Sequence, residues 1–100
     1  MKNINLLGAT GSIGKKTLEI IRRWPNKYFL SSMAFGENMS EGIKIIREFK
    51  PRFVSVKLRE DALKLREFFP GLPVGYGTDG LTEAAVYDAG NNFPTLIVQA

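Results

Sequence analysis

The sequence predicts an α/β domain with a doubly wound, mainly parallel sheet and helices on both faces, and three observations carry the prediction. Short apolar and β-branched runs alternate with stretches whose apolar residues recur every three or four positions. The spacing leaves one helix between successive strands, the arrangement that right-handed β-α-β units need. The first strand also runs into a glycine-rich turn that opens the first helix, which makes the domain Rossmann-like.

Ile4 to Leu7 is a short apolar run ended by Gly8, which suits a buried strand. Beyond the glycines, Ile13, Thr17, Ile20, Ile21 and Trp24 recur at helical steps, so Ile13 to Trp24 is read as a helix. Pro25 closes it, because the residue before a proline disfavours the helical region. Arg22 and Arg23 fall in its last turn, where the helix dipole favours cations, and are read as solvated capping charges. Phe29 to Phe35 reads as the second strand, followed by the loop Gly36, Glu37 and Asn38. Asn38 is placed to cap a helix whose apolar stripe is Ile43, Ile46 and Phe49, and Pro51 breaks that helix. Phe53 to Val56 is a third strand, and Leu58, Ala62, Leu65 and Phe69 mark one face of a third helix that Pro70-Gly71 ends. Val74 to Tyr76 then reads as a short edge strand, Leu81 to Asp88 as a helix, and Leu96-Ile97-Val98 as a last buried strand.

Length and composition exclude several classes of function. One hundred residues provide for one domain and exclude a two-domain enzyme. Cysteine and histidine are both absent, which removes disulfides, thiol catalysis, the Ser-His-Asp triad and zinc sites built on Cys or His. No apolar run approaches the roughly 20 residues of a membrane span, and Met1 leads directly into a patterned strand, so the chain is expected in the cytoplasm without a membrane partner. Of the net charge of +4, the first fifty residues carry a balance of +5 and the last fifty a balance of −1. The basic residues are scattered at helical spacing without interleaved aromatics, a pattern that points to a nucleotide phosphate and not to nucleic acid.

Gly8-Ala9-Thr10-Gly11-Ser12-Ile13-Gly14 is a G-x-x-G-x-x-G run between a strand and a helix. The first glycine serves the tight turn, the second lets backbone approach a pyrophosphate, and the third permits close helix and strand packing. Thr10 and Ser12 add hydroxyls, and the free N–H groups at the helix start favour an anion. A second match, Gly75-Tyr76-Gly77-Thr78-Asp79-Gly80, follows a run too short for a first strand and reads as a turn before the Leu81 helix. At the end of the second strand, where such domains read the adenosine ribose, stands Glu37, which taken alone argues for NAD.

Leu6 to Gly14, Thr17-Leu18-Glu19, Phe35-Gly36-Glu37-Asn38, Phe49 to Val56 and Gly80-Leu81 together resemble the N-terminal part of the 1-deoxy-D-xylulose 5-phosphate reductoisomerase family. The resemblance spans nearly all 100 residues. It implies a homodimeric, NADPH-dependent enzyme of non-mevalonate isoprenoid biosynthesis that needs Mg²⁺ or Mn²⁺. It also makes Thr10, Gly11, Ser12, Ile13, Gly36, Glu37 and Asn38 the cofactor-binding positions. Two departures stand out. The family commonly has Lys or Arg where this chain has Glu37, which would face an NADP 2′-phosphate with like charge. The chain also ends at Gln99-Ala100, before the family's Lys-Glu substrate pair, Asp-x-Glu metal carboxylates and substrate-closing loop. The reading for residues 1–100 is therefore an incomplete N-terminal dinucleotide-binding domain that holds NADP(H), with no catalytic or metal residue of its own and no turnover alone. The cofactor domain of another dehydrogenase with a G-x-x-G-x-x-G loop, such as a semialdehyde dehydrogenase, and a free-standing nucleotide-sensing module are the alternatives.

Overall fold

The apolar runs become strands and the periodic stretches helices, with one strand or helix for each that the sequence predicts. The computed structural model describes residues 1–88 and 94–100. Its elements are β1 (Lys2–Leu7), α1 (Ser12–Arg23), β2 (Tyr28–Phe35), α2 (Met39–Phe49), β3 (Phe53–Val56), α3 (Arg59–Phe68), β4 (Val74–Tyr76), α4 (Gly77–Val86) and β5 (Thr95–Gln99). The strands form one sheet in the order β4-β3-β2-β1-β5, and every pair is parallel.

The chain steps outward from β1 to β4 and then crosses back to pair β5 with the other side of β1. Right-handed crossovers place helices on opposite faces when the direction reverses. The packing follows this rule. Leu18 and Ile21 of α1, Ile45 and Ile46 of α2, and Ala62 and Leu65 of α3 share one core with Ile4, Leu6, Leu30, Val54 and Val56. On the other side Ala84 of α4 packs with Ala34 and Phe53. Alternate residues of each strand therefore serve different layers. Helices cover both faces as the sequence predicts, three on one and α4 on the other.

Three expectations need correction. The stripe expected to bury α1 is only partly the buried face: Ile21 is buried, but Ile13, Ile20 and Trp24 are exposed, and Gly14 and Leu18 complete the face against the sheet. Leu18 lies one residue from the Thr17 of the expected stripe, so the periodicity is sound and the face is rotated. The fourth helix starts at Gly77 instead of Leu81 and ends at Val86. The last strand is not buried, because β5 stands at the edge of the sheet, with Leu96 42% and Ile97 56% exposed.

The layer beneath α4 is polar where an apolar strand face is the usual partner. Asn3, Asn5, Ser31, Ser32 and Ser55 are all buried. The last carbonyls of a helix have no intrahelical donors, and here the sheet provides them. Asn5 Nδ2 donates to the carbonyls of Ala85 and Tyr87 at 3.0 and 2.8 Å, and Ser32 Oγ donates to that of Ala84 at 2.6 Å. Just beyond the helix, Ser31 Oγ donates to the Asp88 carboxylate, which also pairs with Arg52 Nη1 at 2.8 Å. Ser31 sits where the β1–β2 register slips by one residue, which lets both serines reach the α4 side. Replacing Asn5 by alanine strands two carbonyls at once. The expected loss is about 2 kcal/mol in urea unfolding, and a loss below a few tenths would show that α4 is held by its apolar contacts alone.

Arg22 is paired as well as solvated. Its Nη2 donates to Glu48 Oε1 of α2 at 2.8 Å, and the guanidinium lies 5.2 Å from the centre of the Phe49 ring. That hydrogen bond holds the Glu48 carboxyl below the usual carboxylate range. Both side chains are about half exposed, so the pair contributes little to stability.

Candidate functional site

Both edges of the expected site lie at the carboxyl ends of neighbouring strands. Leu7 of β1 is in register with Ala34 of β2, so the loop after each strand emerges beside the other. The turn after β1 is fastened to β2, since the N–H groups of Gly8 and Ala9 both donate to the Ala34 carbonyl, at 2.8 and 3.0 Å.

Each glycine of the first loop has a distinct physical role. Gly8 has φ +93°, a left-handed conformation that disfavours side chains, and a Cβ there would lie 2.8 Å from the Ala100 carbonyl oxygen. Gly14 is buried in the first turn of α1. A Cβ at Gly14 would meet the Ala9 carbonyl oxygen at 2.6 Å and collide with that of Gly8. Gly11 differs from both. It is extended (φ −81°, ψ 178°), and the nearest atom to a Cβ there is the Gly8 carbonyl oxygen at 3.5 Å, so nothing within the fold requires glycine.

Gly11 is also the N-cap of α1, and it has no side chain to accept from the first turn. The N–H groups of Ser12, Ile13 and Gly14 have no acceptor within the helix. The first turn of α1 contains no acidic residue. An uncapped helix start with its dipole unopposed is a site where an anion is favourable. Thr10 lies half-buried beside it, and Ser12 and Ile13 are exposed on the helix's first turn.

After β2, Gly36, Glu37 and Asn38 are exposed. Asn38 caps α2 as the sequence predicts: its Oδ1 accepts from the Glu41 N–H at 3.3 Å, leaving the Nδ2 group as a donor. Glu37 has a partner that the sequence does not disclose, since its Oε2 lies 3.5 Å from Nζ of Lys57, the residue after β3.

A crevice of about 380 Å³ opens above the carboxyl ends of β1, β2 and β3. Gly8, Gly36, Val56, Lys57, Gly77 and Leu81 are among the residues that line it. Of the seven expected positions only Gly36 lines this space; Thr10, Gly11, Ser12 and Ile13 stand at the α1 side, and Glu37 and Asn38 follow Gly36 toward α2. Lys57, Gly77, Thr78 and Leu81 join the site as well; Gly77 and Thr78 belong to the second glycine match and Leu81 follows it, whereas no motif marks Lys57. The rule that ligands sit beyond the carboxyl ends of all the strands would have directed attention to Lys57.

The second glycine motif requires a corrected reading. It is not a turn before a helix, because Gly75 belongs to β4 and Gly77 starts α4. Gly77 has a left-handed φ of +66° with nothing within 4 Å of a Cβ, whereas Gly75 and Gly80 serve packing: a Cβ on Gly80 would collide with Ser55 Oγ, and one on Gly75 would lie 3.0 Å from Phe53 Cζ. They bring α4 close against β3 and β4, so that the start of α4 forms one wall of the crevice.

An all-parallel sheet whose first strand turns through glycines into an uncapped helix, beside a crevice at the strand ends, places the chain in the doubly wound, Rossmann-like α/β class. The family model described as 1-deoxy-D-xylulose 5-phosphate reductoisomerase matches residues 4–98, and the chain belongs to that family. Reductoisomerases of this name from Listeria welshimeri and Bacillus cereus (strain AH187) are 49% and 44% identical to it over 87 residues. These matches cover 87% of the chain, which spans 23% of the length of each relative. A crystal structure of DOX-P reductoisomerase in complex with NADPH, fosmidomycin and magnesium superposes with a TM-score of 0.81 at 28% identity, covering 89% of this chain and 22% of that one.

Proposed function

We propose that this chain is the NADP(H)-binding part of a 1-deoxy-D-xylulose 5-phosphate reductoisomerase, an enzyme of non-mevalonate isoprenoid synthesis. Gly11 carries the reading: the fold leaves its side-chain position empty at the start of a helix that has neither a side-chain cap nor an acidic residue in its first turn, whereas α3 and α4, also without a side-chain cap, carry acidic residues there. The similar structure crystallised with NADPH supports it. Thr10, Gly11, Ser12 and Ile13 hold the pyrophosphate through backbone N–H groups and hydroxyls, and Gly36, Glu37 and Asn38 border the adenosine ribose. The nicotinamide supplies the hydride of the reduction. The contribution of these residues is binding and orientation, with the helix start opposing the charge of the pyrophosphate.

A divalent metal does not fit the described residues: among them no three carboxylates come together. No step through a metal is derived for this chain. In this proposal residues 1–100 form an incomplete N-terminal domain, and the substrate and metal residues belong to the remaining three-quarters of the enzyme's length. The full-length enzyme is cytoplasmic and homodimeric under the same reading; no described helix is long and apolar enough to cross a membrane. Family membership favours this reading over another dehydrogenase or a nucleotide-sensing module.

Calorimetric titration of the chain with NADPH tests the reading, and saturable one-to-one binding is the expected result. Heats no larger than dilution, from protein shown by circular dichroism to be folded, would overturn it. The same protein should consume no NADPH when given 1-deoxy-D-xylulose 5-phosphate and Mn²⁺, followed by the absorbance of the reduced nicotinamide. Substrate-dependent loss of absorbance would show that residues 1–100 hold the catalytic groups after all.

A further inference from the structure

We propose that Lys57 is the specificity-determining residue at the ribose end of this site, the cation that meets the 2′-phosphate of NADP(H). The inference rests on the dinucleotide reading above and adds which residue selects the phosphorylated cofactor. The second strand, where a basic residue is expected to meet that phosphate, offers only Glu37. Its neighbour β3 is followed directly by Lys57, whose backbone N–H faces the Gly36 carbonyl at 3.5 Å and which lines the crevice together with Gly36. Lys57 Nζ lies 3.5 Å from Glu37 Oε2. The charge missing from one strand end is thus present at the next, within reach of the same loop.

The pair also removes the like-charge objection to NADP(H). Glu37 with Lys57 presents no net charge, and both side chains are more than half exposed, at 59% and 67%. Exposed pairs at such a distance are weak, so Lys57 can leave Glu37 for a phosphate at little cost. A phosphate with close to two negative charges is the stronger partner for an ammonium group. When the ribose 2′-position carries a hydroxyl instead, Glu37 can accept from it while Lys57 remains paired. The arrangement therefore takes both cofactors and prefers the phosphorylated one through Lys57 alone.

The test is a pair of titrations, NADPH and NADH, on the 100-residue chain and its variants at low salt. Lys57→Gln is expected to weaken NADPH binding about tenfold and NADH binding less than about twofold. Glu37→Gln, which frees Lys57, is expected to strengthen NADPH relative to NADH. The exchange Glu37→Lys with Lys57→Glu should restore the parent's preference, because the cation then stands on the other side of the same phosphate. A thermal melt of each variant matching the parent's shows that the fold is intact. If Lys57→Gln leaves the ratio of the two affinities unchanged, Lys57 does not meet the phosphate and this inference is overturned while the dinucleotide reading stands. If the parent chain binds neither cofactor, the dinucleotide reading fails and this inference fails with it.

Discussion

Gly14→Ala is expected to lower the stability of the chain by at least about 3 kcal/mol, enough to unfold a large share of a marginally stable domain. The sign is opposite to the ordinary one, since alanine inside a helix is favoured over glycine by about 1 kcal/mol. Here the added methyl group would lie 2.6 Å from the Ala9 carbonyl oxygen and 2.7 Å from its carbon, and would also collide with the Gly8 carbonyl oxygen. These are backbone atoms and cannot rotate aside. The turn that holds them is fixed by the two hydrogen bonds from Gly8 and Ala9 to Ala34 in the centre of the sheet. Relief therefore requires α1 to move away from β1, which opens the contacts of Leu18 and Ile21 with Ile4 and Leu6. Urea unfolding of Gly14→Ala beside Gly36→Ala measures the effect, Gly36 having nothing within 4 Å of a Cβ. Equal midpoints for the two variants would refute the close approach of helix and turn.

Gly11→Val should do the reverse, leaving the fold and removing the ligand. The extended backbone of Gly11 suits a β-branched residue, and a Cβ there meets nothing closer than 3.5 Å. Valine is a poor N-cap, so a cost of about 1 kcal/mol in stability is expected. Its methyl groups would stand above the N–H groups of Ser12 and Ile13, in the space a pyrophosphate needs. NADPH affinity should fall at least about thirtyfold by calorimetry, equivalent to about 2 kcal/mol. A variant that binds as the parent does would place the pyrophosphate away from this loop. The two substitutions separate the glycines: Gly14 serves the packing of the protein, and Gly11, under the proposed function, leaves room for the pyrophosphate.

Much of this is legible in the sequence because local chemistry determines it. The elements follow from apolar period and from Gly and Pro punctuation, which act over a few residues. The loop from Gly8 to Gly14 is a contiguous string, and its strand and helix context is its immediate sequence neighbourhood. Asn38 is recognisable as a cap because the Glu41 N–H it accepts is three residues away. The family resemblance is equally legible, since its motifs are also contiguous.

What the sequence leaves open depends on contacts between residues far apart in the chain. Ile21 fits a helical period with Ile13, Ile20 and Trp24 as well as with Gly14 and Leu18, and only the position of α1 on the sheet decides which of its companions are buried. The start of α4 is displaced by four residues because Gly77 and Gly80 read as helix breakers, whereas the missing side chain of Gly80 is what lets the helix lie against Ser55 and Gly75. Asn5 gives no local sign of holding a helix end 80 residues away, nor Glu37 of meeting the lysine at the end of the next strand. The fold class, the order of elements and the glycine loop after β1 are readable from the chain alone, because backbone propensity and glycine geometry act locally. Which faces are buried, and that Glu37 meets Lys57, emerge only in three dimensions, because burial and pairing depend on where the parallel strands set their ends side by side.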